Sequence, residues 1–282
     1  MNLCIVHRDR RSVARQVEPE FEKLRGTGVR VLTLNKSALD AKLREEILDA
    51  LEGAMGERGR VRTLLHSVAF GSLKLIAPEK PRRGSAGAAL ATELGVDEAR
   101  VTETSDALFR EGADALAPLA NPPRYPERCL DEDDLQHTIH AMGTSLLGWT
   151  QALLQRGRFA SDARIIGLTS EGNEVAWKGY AAVAAAKVAL ESISRSMAVE
   201  LAPYGIRANV IQAGITETPA LQAIPGNEHL KAQARMRNPF GRLTTPKDVA
   251  DAVYLLSTDE AAWINGVVLR VDGGEHISGA TT

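Results

Sequence analysis

The chain has 282 residues and a mass of 30.3 kDa, enough to bury the core of one large domain. Its 34 basic and 36 acidic side chains leave a formal net charge of −2 and a pI of about 6.3, without the basic excess of a nucleic-acid binder. No run approaches the roughly 18 apolar residues of a membrane helix. The opening MNLCIVHRDRR puts its apolar run before its arginines, the reverse of a secretory signal. Cys4 and Cys129 lie far apart with no partner pattern, which argues against a disulfide framework or a cysteine zinc site and for a reducing, cytoplasmic setting.

In chain order, Leu3–Val6 reads as a strand and Ser12–Arg25 as a helix, with Val13, Val17, Phe21 and Leu24 on one face and Gly26 and Gly28 ending it. Val29–Leu34 reads as a strand, Asp40–Met55 as a helix, and Val61–Phe70 as a buried strand broken by Gly71. Residues 72–130 differ: six of the twelve prolines fall between Pro78 and Pro126, around two short helical patterns, Ser85–Leu94 and Thr104–Leu116. They read as an insertion after the strand that ends near His66 and Ser67, not as a second core. Alternation then resumes with a long helix, Asp131–Gln155, whose acidic start suits the helix dipole. A strand at Arg164–Thr169, a helix at Tyr180–Ala202, a strand at Arg207–Gln212, a helix at Lys247–Leu256 and a strand at Val267–Val271 complete the chain. Strands alternating with helices predict an α/β fold: a Rossmann-like parallel sheet with helices on both faces and ligands beyond the carboxyl ends of its strands.

The chemistry concentrates in Arg164–Thr218. Ser170 ends a strand, Tyr180 follows ten residues on, and Lys187 stands seven after that. Seven helical residues make two turns on nearly one face, so a phenol and an ammonium can converge on one ligand. The ammonium is expected to lower the tyrosine pKa; the bland alternative is a solvated Tyr and Lys on a surface helix. His66 reads as structural. His137 and His140, spaced i, i+3, lack a third ligand, so no metal site is predicted. Trp177 suits a pocket wall or the core equally. Gly84–Gly87 is glycine-rich before a helix but has no strand ahead of it, a weak phosphate-loop signal.

This stretch resembles the short-chain dehydrogenase/reductase family, whose serine, tyrosine and lysine stand in this order. Its carbonyl reductases usually show Tyr-x3-Lys; here Val183 stands at that tyrosine position and the spacing is Tyr-x6-Lys, as in the enoyl-acyl-carrier-protein reductase branch. LLHSVAF (Leu64–Phe70), AGITET (Ala213–Thr218) and the pattern Gly241–Glu275 are similar to that branch or family, and the usual active-site asparagine falls near Ser145. The resemblance implies that Tyr180 hydrogen-bonds a substrate carbonyl, that Lys187 binds the nicotinamide ribose, and that 219–240 is a mobile substrate loop. Ser170 stands where carbonyl reductases have serine and many enoyl reductases an aromatic residue, which leaves the substrate class open. The function implied is NAD(P)H-dependent reduction of the C=C bond of an enoyl thioester. Reduction of a carbonyl and a non-catalytic reductase-fold binding protein are the alternatives.

For the cofactor, His7, Arg8, Arg10 and Arg11 end the first strand, and an arginine there suits the 2′-phosphate of NADPH over NADH. The resemblance further implies that Asn35 would meet the adenine, Ser67, Val68 and Ala69 would line the adenosine side, and Gly214, Ile215, Thr216 and Thr218 would approach the nicotinamide and pyrophosphate. The family's opening strand and glycine-rich turn have no counterpart, so a first βα unit of roughly 25–30 residues is missing and translation is expected to begin upstream. Residues 1–282 read as one domain: an incomplete cofactor half (1–71), an insertion or cap (72–130) and a catalytic half (131–282). The expected partners are an acyl thioester or other small carbonyl substrate and further copies of the chain, as a homodimer or homotetramer. Those copies would meet through the helices 131–155 and 180–202, where Gly143, Gly148 and Ala184–Ala186 permit close packing.

Overall fold

The computed structural model describes residues 2–80 and 86–279. It opens with β1 (Leu3–His7), α1 (Arg11–Gly26) and β2 (Val31–Asn35), followed by α2 (Ala41–Met55) and β3 (Val61–His66). The insertion carries α3 (Ala86–Leu94), α4 (Glu98–Arg110) and a 3-10 turn, Asp114–Leu119. Then come α5 (Glu132–Ile139), a π-helical turn (His140–Thr144) and α6 (Ser145–Gln155). The remainder is β4 (Phe159–Ser170), α7 (Ala181–Glu200), β5 (Ile206–Ala213), α8 (Pro219–Gln222), α9 (Asn227–Arg237), α10 (Pro246–Ser257) and β6 (Val268–Val271).

All strand pairings are parallel, but the sheet is divided. β1 pairs with β2 alone, and β3, β4, β5 and β6 form a separate four-stranded sheet in that order. Among the described residues no strand joins β1 to β3. Helices hold the two pieces together. Ile47 and Leu48 of α2 and Trp149, Ala152 and Leu153 of α6 form one apolar cluster, onto which Val6 of β1, Leu34 of β2 and Leu64 of β3 all pack. One face of the larger sheet is covered by α7, with Leu190 and Met197 against Ile165 and Ile206. The other is covered by α10, with Ala252 and Leu256 against Ile166 and Ile211. This is the expected parallel sheet with helices on both faces, divided between β1 and β3.

Several boundaries differ from the sequence reading. β3 stops at His66, so Ser67–Phe70 is loop, and β4 begins at Phe159 rather than Arg164. The second helix of the insertion starts at Glu98, because the Asp97 side chain accepts the Ala99 amide and caps it there. The single helix expected over 131–155 is interrupted by the π turn. The segment 219–240, expected to be a loop, is largely helical: Thr218 caps α8 by accepting the Leu221 amide, with Pro219 in the first turn. The glycine-rich Gly84–Gly87 begins outside the described residues. Gly143 and Gly148 serve packing inside the chain. A Cβ on Gly143 would stand 2.7 Å from the Ala186 carbonyl of α7, and one on Gly148 would stand 2.5 Å from the Arg44 guanidinium of α2. Their smallness is therefore not a signature of contact between copies.

Candidate active site

Ser170 is the last residue of β4, and Tyr180 immediately precedes α7. The turn between them brings the Ser170 hydroxyl within 3.2 Å of the Tyr180 hydroxyl. Gly172 makes this possible: a Cβ there would stand 2.3 Å from Cε1 of the Tyr180 ring. Lys187, two turns along α7, is buried and donates to the Leu168 carbonyl at 2.8 Å. One turn further, the buried Glu191 accepts from the Thr169 hydroxyl at 2.6 Å and the Asn173 amide at 2.7 Å. Consecutive side chains on one face of α7 thus grip consecutive residues of β4 just before Ser170, and Glu191 brackets the Ser170 turn from both sides.

The electrostatics depart from the sequence expectation at the tyrosine. Burial pushes the Tyr180 pKa up, and only the bond to Ser170 opposes that rise. The ammonium of Lys187 donates to a backbone carbonyl, and it does not pull the phenol down. Burial lowers Lys187 itself to about 8, with the nearby Glu191 carboxylate working the other way. Tyr180 is therefore a neutral hydrogen-bond donor at physiological pH.

Behind the pair lies an acidic cluster that the sequence did not reveal. Glu171, next to Ser170, and Glu275, 1% exposed, share one guanidinium: Arg237 donates to them at 2.7 and 3.0 Å. Glu275 also accepts the Ile215 amide at 3.3 Å, and burial together with the charge of Glu171 raises its pKa. Gly214 has no room for a side chain, since its Cβ would lie 2.9 Å from Glu275 Oε2. The only hint in the sequence was an acid at each of two motif ends, Ser170-Glu171 and Gly274-Glu275. On the opposite flank, His66 is buried with its Nε2 2.8 Å from the Ser145 hydroxyl, and burial followed by the charge of Lys187 lowers it to about 4. This structural histidine has a partner, located at the position aligned with the usual asparagine. Trp177 is half-buried in the turn before Tyr180.

The other predicted residues all follow carboxyl ends of parallel strands. Ser67, Val68 and Ala69 follow β3 and are partly or well exposed. Gly214, Ile215 and Thr216 follow β5, where Thr216 bonds the Gly214 carbonyl, while Thr218 is engaged in capping α8. At the end of β1 the Arg8 guanidinium lies 5.9 Å from the Phe70 ring centroid. Asn35, the last residue of β2, exchanges two hydrogen bonds with the Asp9 backbone. The sequence reading passed over Asp9, whose carboxylate meets His7 Nδ1 at 2.6 Å. His137 packs edge-on against Phe70, and His140 reaches the Leu39 carbonyl, so the two imidazoles serve different contacts.

The family model described as enoyl-(acyl carrier protein) reductase matches residues 119–276, more than half of the chain. A cis-4-hydroxycyclohexanecarboxylate dehydrogenase of Sinomonas cyclohexanicum is 32% identical over 48% of this chain and 53% of its own length. The enoyl-[acyl-carrier-protein] reductase [NADH] FabI of Aquifex aeolicus is 38% identical over 48% of this chain and 50% of its own. The chain thus spans about half the length of these curated relatives. The crystal structure of the NADH enoyl-[acyl-carrier-protein] reductase from the same Aquifex strain superposes with a TM-score of 0.69, covering 99% of this chain and 87% of that one at 23% identity, which shows a common fold. The chain belongs to the enoyl-(acyl carrier protein) reductase family, among the short-chain dehydrogenases/reductases.

Proposed function

We propose that this protein reduces the C=C bond of an enoyl thioester with a nicotinamide cofactor, and that Tyr180, Lys187 and Ser170 carry the reaction. The observation that bears most weight is the half-buried, neutral Tyr180 phenol, hydrogen-bonded to Ser170 ahead of the helix face that presents Lys187 two turns on. A donor held in a dry site stabilises charge that appears on a substrate oxygen without reorganising at the moment of reaction. Tyr180 would donate to the thioester oxygen as the β-carbon is reduced, and Ser170 would hold the phenol's orientation.

The donor set suits the nicotinamide end of a dinucleotide. Lys187 has three protons and gives one to Leu168, leaving two for vicinal ribose hydroxyls. A bound reduced nicotinamide supplies the hydride. The partly or well exposed Ser67–Ala69 and the Gly214–Thr218 segment, with Asn35 at the outer end, would line the rest. The exposed Arg8 favours NADPH, whereas the Asp9 carboxylate beside it is already held by His7. In this reading residues 1–71 form the cofactor half, 72–130 an insertion and 131–282 the catalytic half of one domain. No helix among the described residues is long and apolar enough to cross a membrane, and a cytoplasmic homodimer or homotetramer completes the reading. Exposed Leu147 on α6 and Val188 and Val199 on α7 support association through these helices.

A second reading, reduction of a carbonyl, is favoured by the Ser170 hydroxyl, which can share a ketone oxygen with Tyr180. Oxidation of NADPH and of NADH is to be followed with crotonyl and acetoacetyl thioesters. Turnover of crotonyl thioester is expected; turnover of the ketone alone transfers the protein to the second reading. Tyr180→Phe is expected to lower kcat by about a hundredfold or more while nucleotide binding, read by fluorescence, persists. Undiminished kcat would remove Tyr180 from its role.

A further inference from the structure

The insertion after β3 and the segment after β5 both leave the carboxyl edge of the sheet, where ligands of parallel α/β folds lie. They meet there. Arg235 of α9 donates twice to Asp114 of the insertion's 3-10 turn, Nε and Nη2 each at 2.6 Å. Phe109, Ala117 and Ala120 of the insertion form an apolar cluster with Ala232 of α9, and the Phe109 ring lies 5.0 Å from that of His229. A charge pair with two parallel bonds and a small apolar core fix the insertion to α9 at one end.

The chain then runs on to the other end. The Asn121 amide is held by Asp106 of α4 at 3.2 Å. Pro123 lies on Gly226, just before α9, where a Cβ would stand 2.5 Å from the proline Cγ. Tyr125 lies on Gly179, the neighbour of Tyr180, where a Cβ would stand 3.0 Å from the tyrosine Cε1. Glu79, on the outgoing leg of the insertion, pairs with Lys178 at 2.7 Å. Gly226 and Gly179 both have positive φ, 77° and 70°, so each contact uses a backbone shape and an absent side chain together. Residues 121–125 therefore form a strap anchored at one end beside Tyr180 and at the other beside α9.

We propose that this strap is a specificity element: it runs from Gly179, beside Tyr180, to Gly226 at the start of α9, with Tyr125 as the residue that bars long acyl chains. The substrate class is then short-chain acyl or carbonyl compounds. The inference rests on the reductase reading for its substrate, but the clamp on α9 does not.

The test has two arms. In the first, kcat/KM is compared for crotonyl and dodecenoyl thioesters. The wild-type protein prefers crotonyl, Tyr125→Ala narrows the preference about tenfold, as an opened apolar wall allows, and Tyr125→Phe, which keeps the ring, retains it. An unchanged ratio in Tyr125→Ala overturns the proposal. In the second arm, which needs no turnover, the cutting rate of trypsin at Lys231, Arg235 and Arg237 is read by mass spectrometry. Asp114→Ala is expected to raise it about tenfold by releasing the helix, and Asp114→Glu, which keeps the charge, is expected to raise it less. Equal rates in wild type and Asp114→Ala overturn the clamp. If no form reduces either thioester, the reductase reading fails and the proteolysis arm alone decides whether the insertion holds α9.

Discussion

Tyr180 and Lys187 show how two ionisable groups on one helix face can be tuned by different neighbours. The spacing of Ser170, Tyr180 and Lys187 was legible because it depends only on helix geometry and a strand end. Which neighbour satisfies each group was not legible: the Leu168 carbonyl takes the ammonium, and that choice belongs to the packing of α7 on β4. The shared cluster of Glu171, Arg237 and Glu275 was hidden for a similar reason, since its members come from three segments far apart in the chain. His66 gives a measurable consequence at this scale. Its folded pKa of about 4 lies below the 6.5 of a free side chain. Below about pH 6.5 the unfolded chain takes up a proton that the folded chain refuses, so stability falls as pH drops towards 4, by up to about 3 kcal/mol. Urea unfolding of wild type and His66→Gln at pH 7 and pH 4.5 checks this. The wild type is expected to lose more stability than the variant, and equal losses would refute the assignment.

Among the elements, those with strong end signals were read nearly to the residue. Asp40 caps α2 and Thr245 forms a capping box with Asp248 ahead of α10. The helix between Asp131 and Gln155 was misread because a π turn changes the phase of the apolar pattern midway without any proline or glycine pair to announce a break. That turn carries Gly143 against α7, and the contact is tight enough to predict from. Gly143→Ala would set a methyl 2.7 Å from the Ala186 carbonyl and 3.3 Å from the Ala189 methyl. The backbone of α7 must shift, at a cost of about 1–3 kcal/mol, visible as a lower Tm. An unchanged Tm would mean that the two helices part freely. α8 and α9 were missed although Thr218-Pro219 is a legible helix start. The family expectation of a loop outweighed the local signal.

For the molecule as a whole, the parallel pairing and the two-sided helix cover followed from the alternation of patterns, whereas the strand order did not. What no pattern could supply was how the pieces cohere. β1 and β2 are joined to the rest by side chains packed on α2 and α6, not by a hydrogen-bonded ladder. Leu65, on the outer strand of the larger sheet, is correspondingly exposed. Hydrogen exchange should separate the two. Amides of Leu3–Asn35 are expected to exchange well before those of β4 and β5, which are paired on both sides. Uniform protection would show a continuous network across the division. A protein assembled this way need not lose its structure in one event. In a calorimeter the calorimetric enthalpy should exceed the van't Hoff value, the mark of two melting units sharing a single chain.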